Sequence, residues 1–265
     1  MARNCVMAEA PAGVSPPLVT DAFLGGRLLL RQPAEGHRYG TDAVLLAAAA
    51  PNDFSGLAID AGAGVGAAGL ALAIARPGLR IGLLENDSLL AGLARENLLQ
   101  NGLPDRGYVI EADLLSAASR RAAGLIDESA GLVISNPPFL DPGRVRLSPD
   151  LRKRRAHVMP AAGPAALAAW IAAAVALVAP GGLFILIHRP AALPVILETL
   201  ATRAGGVTVL PVYPRPGTSA GRILVRGKKG SRAPLTIAPP LVLHDGTGFT
   251  PAVEAIHRGA MLIDW

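Results

Sequence analysis

The residues Asn136-Pro137-Pro138-Phe139 stop the apolar run Val133-Ile134-Ser135 abruptly. Proline fixes φ and removes an N–H donor, so two in succession make a stiff turn whose carbonyls are not used in a strand ladder. The side-chain oxygen of Asn136 and the carbonyl of Pro137 can then accept from one –NH2 group, while Phe139 offers a face on which a planar ring can stack. An exocyclic amine conjugated with a ring is a poor nucleophile. Two acceptors on its hydrogens draw the nitrogen towards sp3 and aim its lone pair, and fixed geometry towards a methyl sulfonium completes an in-line displacement. The proton becomes acidic once the nitrogen is alkylated, so this chemistry needs no strong base.

A second group of residues suits the donor of such a methyl. Asp60-Ala61-Gly62-Ala63-Gly64-Val65-Gly66 follows a short apolar run and precedes a helical pattern. Glycines there let the backbone approach a ligand at a helix N-terminus, where free N–H groups and the helix dipole lie. Gly64, Gly66 and Gly69 also fit the dinucleotide pattern G-x-G-x-x-G, and Glu85, at the end of the next run, could hold ribose hydroxyls in either case. Asp113 favours an adenosyl ligand, because a carboxylate after a third strand can accept from the adenine amine and has no place in the dinucleotide fingerprint. Its bland alternative is an N-cap for the following Leu114-Leu115-Ser116.

These residues need elements that carry them to one edge. From residue 57 the pattern alternates short apolar runs, at 57–62, 79–86, 107–113, 131–139 and 181–189, with helical segments. Asp87 is placed to cap the helix over 88–100, and Asn101-Gly102 to close it. Such alternation predicts right-handed βαβ units in a parallel, doubly wound α/β sheet, with ligands at the C-terminal ends of the strands. Residues 207–214 and 222–230 predict an antiparallel hairpin at a sheet edge, and residues 22–33 another hairpin ahead of a helix over 42–50.

Composition sets the outer limits. The chain has 265 residues, 51% hydrophobic and 17% charged, enough to bury a sizeable core. A single cysteine excludes an internal disulfide and a cysteine-ligated zinc site, and suits a reducing, cytoplasmic setting. Residues 165–187 carry no charge over a bilayer-spanning length, but Pro180-Gly181-Gly182 is expected to split them into a helix and a strand, so no membrane partner is expected. The net charge of +5 and a pI near 10.0 permit a polyanion partner.

With these residues in hand, the chain resembles the class I S-adenosylmethionine-dependent methyltransferases with an N-P-P-[FY] motif. Within them it is most similar to the bacterial tRNA adenine-N6 methyltransferases, through "QPAEGHRYGTDAVLLA" (32–47) and "NPPFLDPGRVRLSPDLRKRRAH" (136–157). The resemblance implies a Rossmann-like seven-stranded sheet, mostly parallel with an antiparallel edge hairpin and helices on both faces. It implies a methyltransferase domain over 51–265, with residues 1–50 an extension whose hairpin and helix pack on it. It also implies S-adenosylmethionine as cofactor, no metal, and transfer to the N6 amine of an adenine in RNA, most simply tRNA. Asn136, Pro137, Pro138 and Phe139 would hold the base. Asp60, Gly62, Gly64 and Gly66 would wrap the methionine part, with Glu85 and Asn86 at the ribose, and Asp113 and Leu114 at the adenine. Asn136 would also border the cofactor, and Thr41 and Asp42 would close its pocket, although Thr41 equally suits the N-cap of its helix.

Residues 144–155 hold six basic residues and one acid directly after the Asn-Pro-Pro-Phe turn. Arg144, Arg146, Arg152, Lys153, Arg154 and Arg155 are therefore the expected phosphate contacts, and Arg38 is a further one or, equally, a structural ion-pair partner. A second run, 222–232, holds five basic residues and no acid, and could equally be a solvated face. The competing readings are a protein glutamine-N5 methyltransferase, a ribosomal RNA guanine-N2 methyltransferase, a nicotinamide-dependent oxidoreductase and a non-catalytic RNA-binding module. The first usually has Tyr where Phe139 stands, the second often a duplicated domain. The last two leave the Asn-Pro-Pro-Phe turn or the strand-end acids without a role.

Overall fold

The computed structural model describes residues 17–34, 40–138 and 163–265. After the hairpin β1 (Leu18–Phe23) and β2 (Leu28–Pro33) comes helix α1 (Thr41–Ala48). The alternating part follows as β3 (Gly56–Ala61), α2 (Ala67–Ala75), β4 (Leu79–Glu85), α3 (Ser88–Gln100), β5 (Gly107–Glu111), α4 (Ala117–Ala122) and β6 (Ala130–Ser135). Beyond it lie α5 (Pro164–Leu177), β7 (Val178–His188), α6 (Leu193–Leu200), β8 (Ala204–Tyr213) and β9 (Arg222–Lys229). The chain closes with the two-residue strands β10 (Thr236–Ile237), β11 (Leu241–Val242), β12 (His244–Asp245) and β13 (Gly248–Phe249), and helix α7 (Pro251–His257).

Seven main strands form the sheet in the order β5-β4-β3-β6-β7-β9-β8, parallel except where β9 runs antiparallel to both neighbours. The chain winds outward from β3 to β5, then returns to lay β6 on the other side of β3. That reversal opens a crevice at the carboxyl ends of β3 and β6, the place where open α/β sheets bind ligands. The edge differs from expectation. β10 and β11 both add in parallel to the outer side of β8, so the β8–β9 hairpin is not the last layer.

Each face of the sheet has its own apolar cluster. Ala58, Ile134, Ile185 and Ile187 face α1, α2, α3 and α7, together with Leu28 and Leu30 of β2. Ile59, Ala61, Val133, Phe184 and Leu186 face α5 and α6. Neighbouring strand residues point to opposite faces, and this alternation sorts the two clusters.

Local chemistry sets the element ends. Asp87 caps α3 by accepting from the N–H groups of Leu89 and Leu90, at 2.9 and 3.2 Å. Gly102 follows with φ +66, the left-handed turn that closes a helix. Two expectations shift. Gly40, not Thr41, holds the cap position of α1, and Ser116, not Asp113, caps α4 by accepting from Ser119. The break in the apolar run also moves, since α5 stops at Leu177 and β7 begins at once. The register then jumps from the pair Ala130–Val178 to Leu132–Leu183, so Pro180-Gly181-Gly182 bulge out inside a strand. Among the described residues no helix is long and apolar enough to cross a membrane.

Candidate active site

Strand register brings the two motifs together. Asp60 pairs with Ile134 across β3 and β6, so Gly62 and Asn136 each lie two residues beyond a paired position. Adjacent strands run about 5 Å apart, which sets the glycine turn beside the Asn-Pro-Pro turn. On the other side Ala61 pairs with Leu84, and Glu85 with Glu111, so Glu85 and the segment leading to Asp113 continue the same edge.

The glycine turn has φ of +79, +59 and +92 at Gly62, Gly64 and Gly66. The N–H groups of Gly62 and Ala63 both donate to the Leu84 carbonyl at 2.9 Å. Glu85 holds the turn from below. Its Oε2 accepts from Gly64 at 2.7 Å and its Oε1 from Asn86 and Asp87 at 2.9 Å. Burial raises the Glu85 carboxyl above the ordinary range, and those three N–H groups oppose the rise. Gly66, in a left-handed conformation, precedes α2 without a side-chain cap, which leaves a helix N-terminus at the crevice.

Asp60, in β3, is buried. The residue is 2% exposed and its Oδ2 accepts from the Gly69 N–H at 2.8 Å, tying β3 to α2. Burial, with Glu85 nearby, pushes it up to about 7 against the Gly69 hydrogen bond. Gly69, the third glycine of the dinucleotide pattern, is a packing position, for a Cβ there would lie 2.4 Å from Leu83 Cδ2. Asp113 Oδ1 accepts from Leu115 at 2.9 Å, and Leu114 is buried. Asp42 forms an ion pair with Arg222 of β9 at 2.8 Å, fastening the first turn of α1 to the start of that strand.

At the Asn-Pro-Pro turn, Asn136 Oδ1 is buried and has no hydrogen-bond partner among the described residues. A buried acceptor left unmade costs about 1–3 kcal/mol, so a donor that reaches it is favoured. Pro137 is buried and Pro138 half-buried. Phe139, Arg38, Arg144, Arg146, Arg152, Lys153, Arg154 and Arg155 lie outside the described residues.

The motifs alone do not reveal two other side chains. Ser135 Oγ donates to the Ala61 carbonyl at 2.7 Å, and Trp170 Nε1 donates to Ser135 Oγ at 3.0 Å. A lone polar residue at the end of an otherwise apolar strand was the available signal for Ser135; a Trp 34 positions beyond Asn136 gave none. Among the described residues no group of His, Cys, Asp and Glu could hold a metal ion. A groove of about 570 Å³ lined by Glu128, Gly181 and Lys228 sits at the opposite edge of the sheet and does not adjoin this crevice.

A glycine-rich turn, strand-end acids and an amide-bearing turn gather at the switch point of this sheet, where open α/β folds bind ligands. The methyltransferase small domain model matches residues 38–152. A crystal structure described as a predicted O-methyltransferase from Agrobacterium tumefaciens is 35% identical, with a TM-score of 0.68, covering 84% of this chain and 98% of that one. The chain belongs to the class I S-adenosylmethionine-dependent methyltransferases. Over 115 residues it is 35% identical to the tRNA1(Val) (adenine(37)-N6)-methyltransferase of Erwinia tasmaniensis, covering 43% of this chain and 44% of that protein. The match thus spans less than half the length of the curated relatives. The T. Thermophilus 16S rRNA N2 G1207 methyltransferase, in complex with AdoMet and guanosine, shares the fold at 22% identity and a TM-score of 0.55, covering 84% of this chain and 53% of that one.

Proposed function

We propose that the protein transfers a methyl group from S-adenosylmethionine to the exocyclic N6 amine of an adenine in RNA, with tRNA as the substrate class. The observation that carries this reading is the buried, unpartnered Oδ1 of Asn136 beside the glycine turn. An adenine amine has an N–H to give it. The curated relatives, which are named tRNA adenine-N6 methyltransferases, support the same choice.

The residues present fit the cofactor. The turn at Gly62, Gly64 and Gly66 opens on the uncapped start of α2, where the methionine carboxylate would lie. Glu85 and Asn86 would hold the ribose, Asp113 and Leu114 would border the adenine, and Thr41 and Asp42 would close the pocket from α1. Asp60 would act from beneath, by holding α2 through Gly69. When bound, the cofactor supplies an electrophilic methyl carbon on a sulfonium. Asn136 and the Pro137 carbonyl would accept the two hydrogens of the amine, and Pro138 and Phe139 would position the ring. The segment 144–155 and Arg38 would neutralise phosphates flanking the target.

Incubation of unmodified RNA with tritium-labelled cofactor, followed by nucleoside mass spectrometry, tests the reading. Label in N6-methyladenosine from the tRNA fraction is expected. Label in N2-methylguanosine, in a ribose oxygen or in N5-methylglutamine of a protein would replace it. Asn136→Ala is expected to lose about a hundredfold or more in kcat, the scale of removing one preorganised polar contact to the reacting group. Calorimetry with S-adenosylhomocysteine should show affinity close to wild type, and turnover that survives the substitution would mean the base is held elsewhere.

A further inference from the structure

The two turns of the site are joined by one side-chain relay that lies behind both. Trp170 Nε1 donates to Ser135 Oγ at 3.0 Å, and Ser135 Oγ donates to the Ala61 carbonyl at 2.7 Å. Ser135 immediately precedes Asn136, and Ala61 immediately precedes Gly62. The Trp170 ring also backs the glycine turn, since a Cβ on Gly62 would lie 2.5 Å from its Cζ2 and 2.8 Å from its Cη2. Ser135 and Trp170 are both buried. Trp170 is anchored among Ile171, Ala174 and Val175 of α5, in the cluster that also holds Val133 and Ala61.

We propose that Trp170 and Ser135 are positioning residues that set the distance between the cofactor turn and the acceptor turn. The proposal rests on the reading of Asn136 as the grip on the accepting group. Ser135 faces the α5 side of the sheet with Val133, and the alternation of the strand sends Asn136 to the other side. The hydroxyl therefore cannot touch the acceptor. It holds the end of β6 to the end of β3 at the level where the two substrates would meet. Methyl transfer depends steeply on that separation, because the reacting atoms must come to about 3–3.5 Å in line.

The test uses Trp170→Phe, which keeps an aromatic ring in the apolar cluster but loses the N–H, Ser135→Ala, and the double variant. Thermal melts come first, and kinetics are run well below the melting point of each. Each single variant is expected to lower kcat about tenfold or more, with KM for the acceptor within about threefold of wild type. The double variant should be no slower than the Ser135→Ala single, since both substitutions break one relay. A kcat within twofold of wild type for both singles, or losses that multiply as for independent sites, overturns the proposal. If wild type labels an acceptor other than adenine N6, the substrate reading fails and the same comparison proceeds on that acceptor. A readout free of turnover completes the test. In a Trp265→Phe background Trp170 is the sole tryptophan. Its emission should change on titration with S-adenosylhomocysteine, and Ser135→Ala should alter that change. Emission that ignores the ligand overturns the proposal.

Discussion

Gly62 shows how far a single position constrains this site. Its φ of +79 is costly for any residue with a Cβ, and the Trp170 ring occupies the space a Cβ would need. Gly62→Ala is expected to cost about 2–4 kcal/mol, from backbone strain plus overpacking, measurable as a lower urea midpoint. It should also weaken S-adenosylhomocysteine binding, and a variant with normal stability and affinity would show that the turn tolerates a side chain. Asp60 gives a prediction in pH. Its carboxyl titrates near 7 in the fold because burial disfavours the ion, against an ordinary value of 3.8. The folded state therefore binds a proton that the unfolded chain has released between those values. The stability this supplies is complete below about 4 and is lost as pH rises through about 7, at up to about 1.4 kcal/mol per pH unit. His188, lowered by burial to about 4, works the other way and costs stability as pH falls below 6.5. Comparing wild type with Asp60→Asn cancels the histidine. The stability of the variant relative to wild type should rise from pH 4 to 7 and then level off, and parallel curves would contradict the shift.

At the scale of elements, hydrophobic period and strand-end acids made most of the sheet legible. β3 to β6, the β8–β9 hairpin and the Asp87 cap all lie where the pattern puts them, because each is a run long enough to have a period or a cap with a distinct partner, while β7 starts earlier than its apolar run because Pro180-Gly181-Gly182 bulge inside it. Other features were not legible for physical reasons. β10 to β13 are two residues each, too short for a period. Gly40 lies beside Thr41, and Ser116 three residues from Asp113, each a residue of comparable capping ability, and only the backbone path chooses between them. The relay from Trp170 to Ser135 is a tertiary contact across two elements, and no local pattern encodes it. The same holds for Asn97 on α3, fully buried, which joins three elements. Its Oδ1 accepts from Arg31 of β2 at 2.8 Å, and its Nδ2 donates to the Arg31 carbonyl at 3.0 Å and to the Val65 carbonyl in the glycine turn at 2.9 Å. Asn97→Leu keeps the volume but leaves those backbone groups unpaired in a buried place. A loss of about 2–4 kcal/mol is expected, read from urea unfolding, with weaker cofactor binding because Val65 is released. A loss under about 0.5 kcal/mol would mean that the hairpin packs on α3 through apolar contact alone.

Across the whole molecule the carboxyl edge of the sheet is divided by charge. Asp60, Glu85 and Asp113 gather at the ends of β3, β4 and β5, where a cofactor bearing a sulfonium would lie. Past Asn136, the ends of β7 and β8 lead into Arg189 and Arg215, both exposed. The second basic run does not extend this cationic side, because β9 carries its residues away from it. Arg222 pairs with Asp42, Arg226 lies 4.6 Å over the Trp265 ring, and Lys229 reaches Glu128 at the far edge of the sheet. Three of its five cations thus have structural partners, and the two remaining, Lys228 and Arg232, are exposed away from the crevice. RNA affinity should therefore depend on residues 144–155 and on Arg215, and little on Lys228 or Arg232. Each phosphate contact contributes roughly 0.7–0.9 to the slope of log affinity against log salt. Replacing Arg152, Lys153, Arg154 and Arg155 with Gln should flatten that slope by about 2–3 if most of them meet phosphates, and replacing Lys228 and Arg232 should leave it within about 0.5. Filter-binding titrations of tRNA from 50 to 300 mM salt on the order of six points would read both variants. A flattened slope from the Lys228 and Arg232 pair, with none from the arginine cluster, would put the RNA on the opposite edge of the sheet, away from Asn136, and would undo the proposed acceptor site with it.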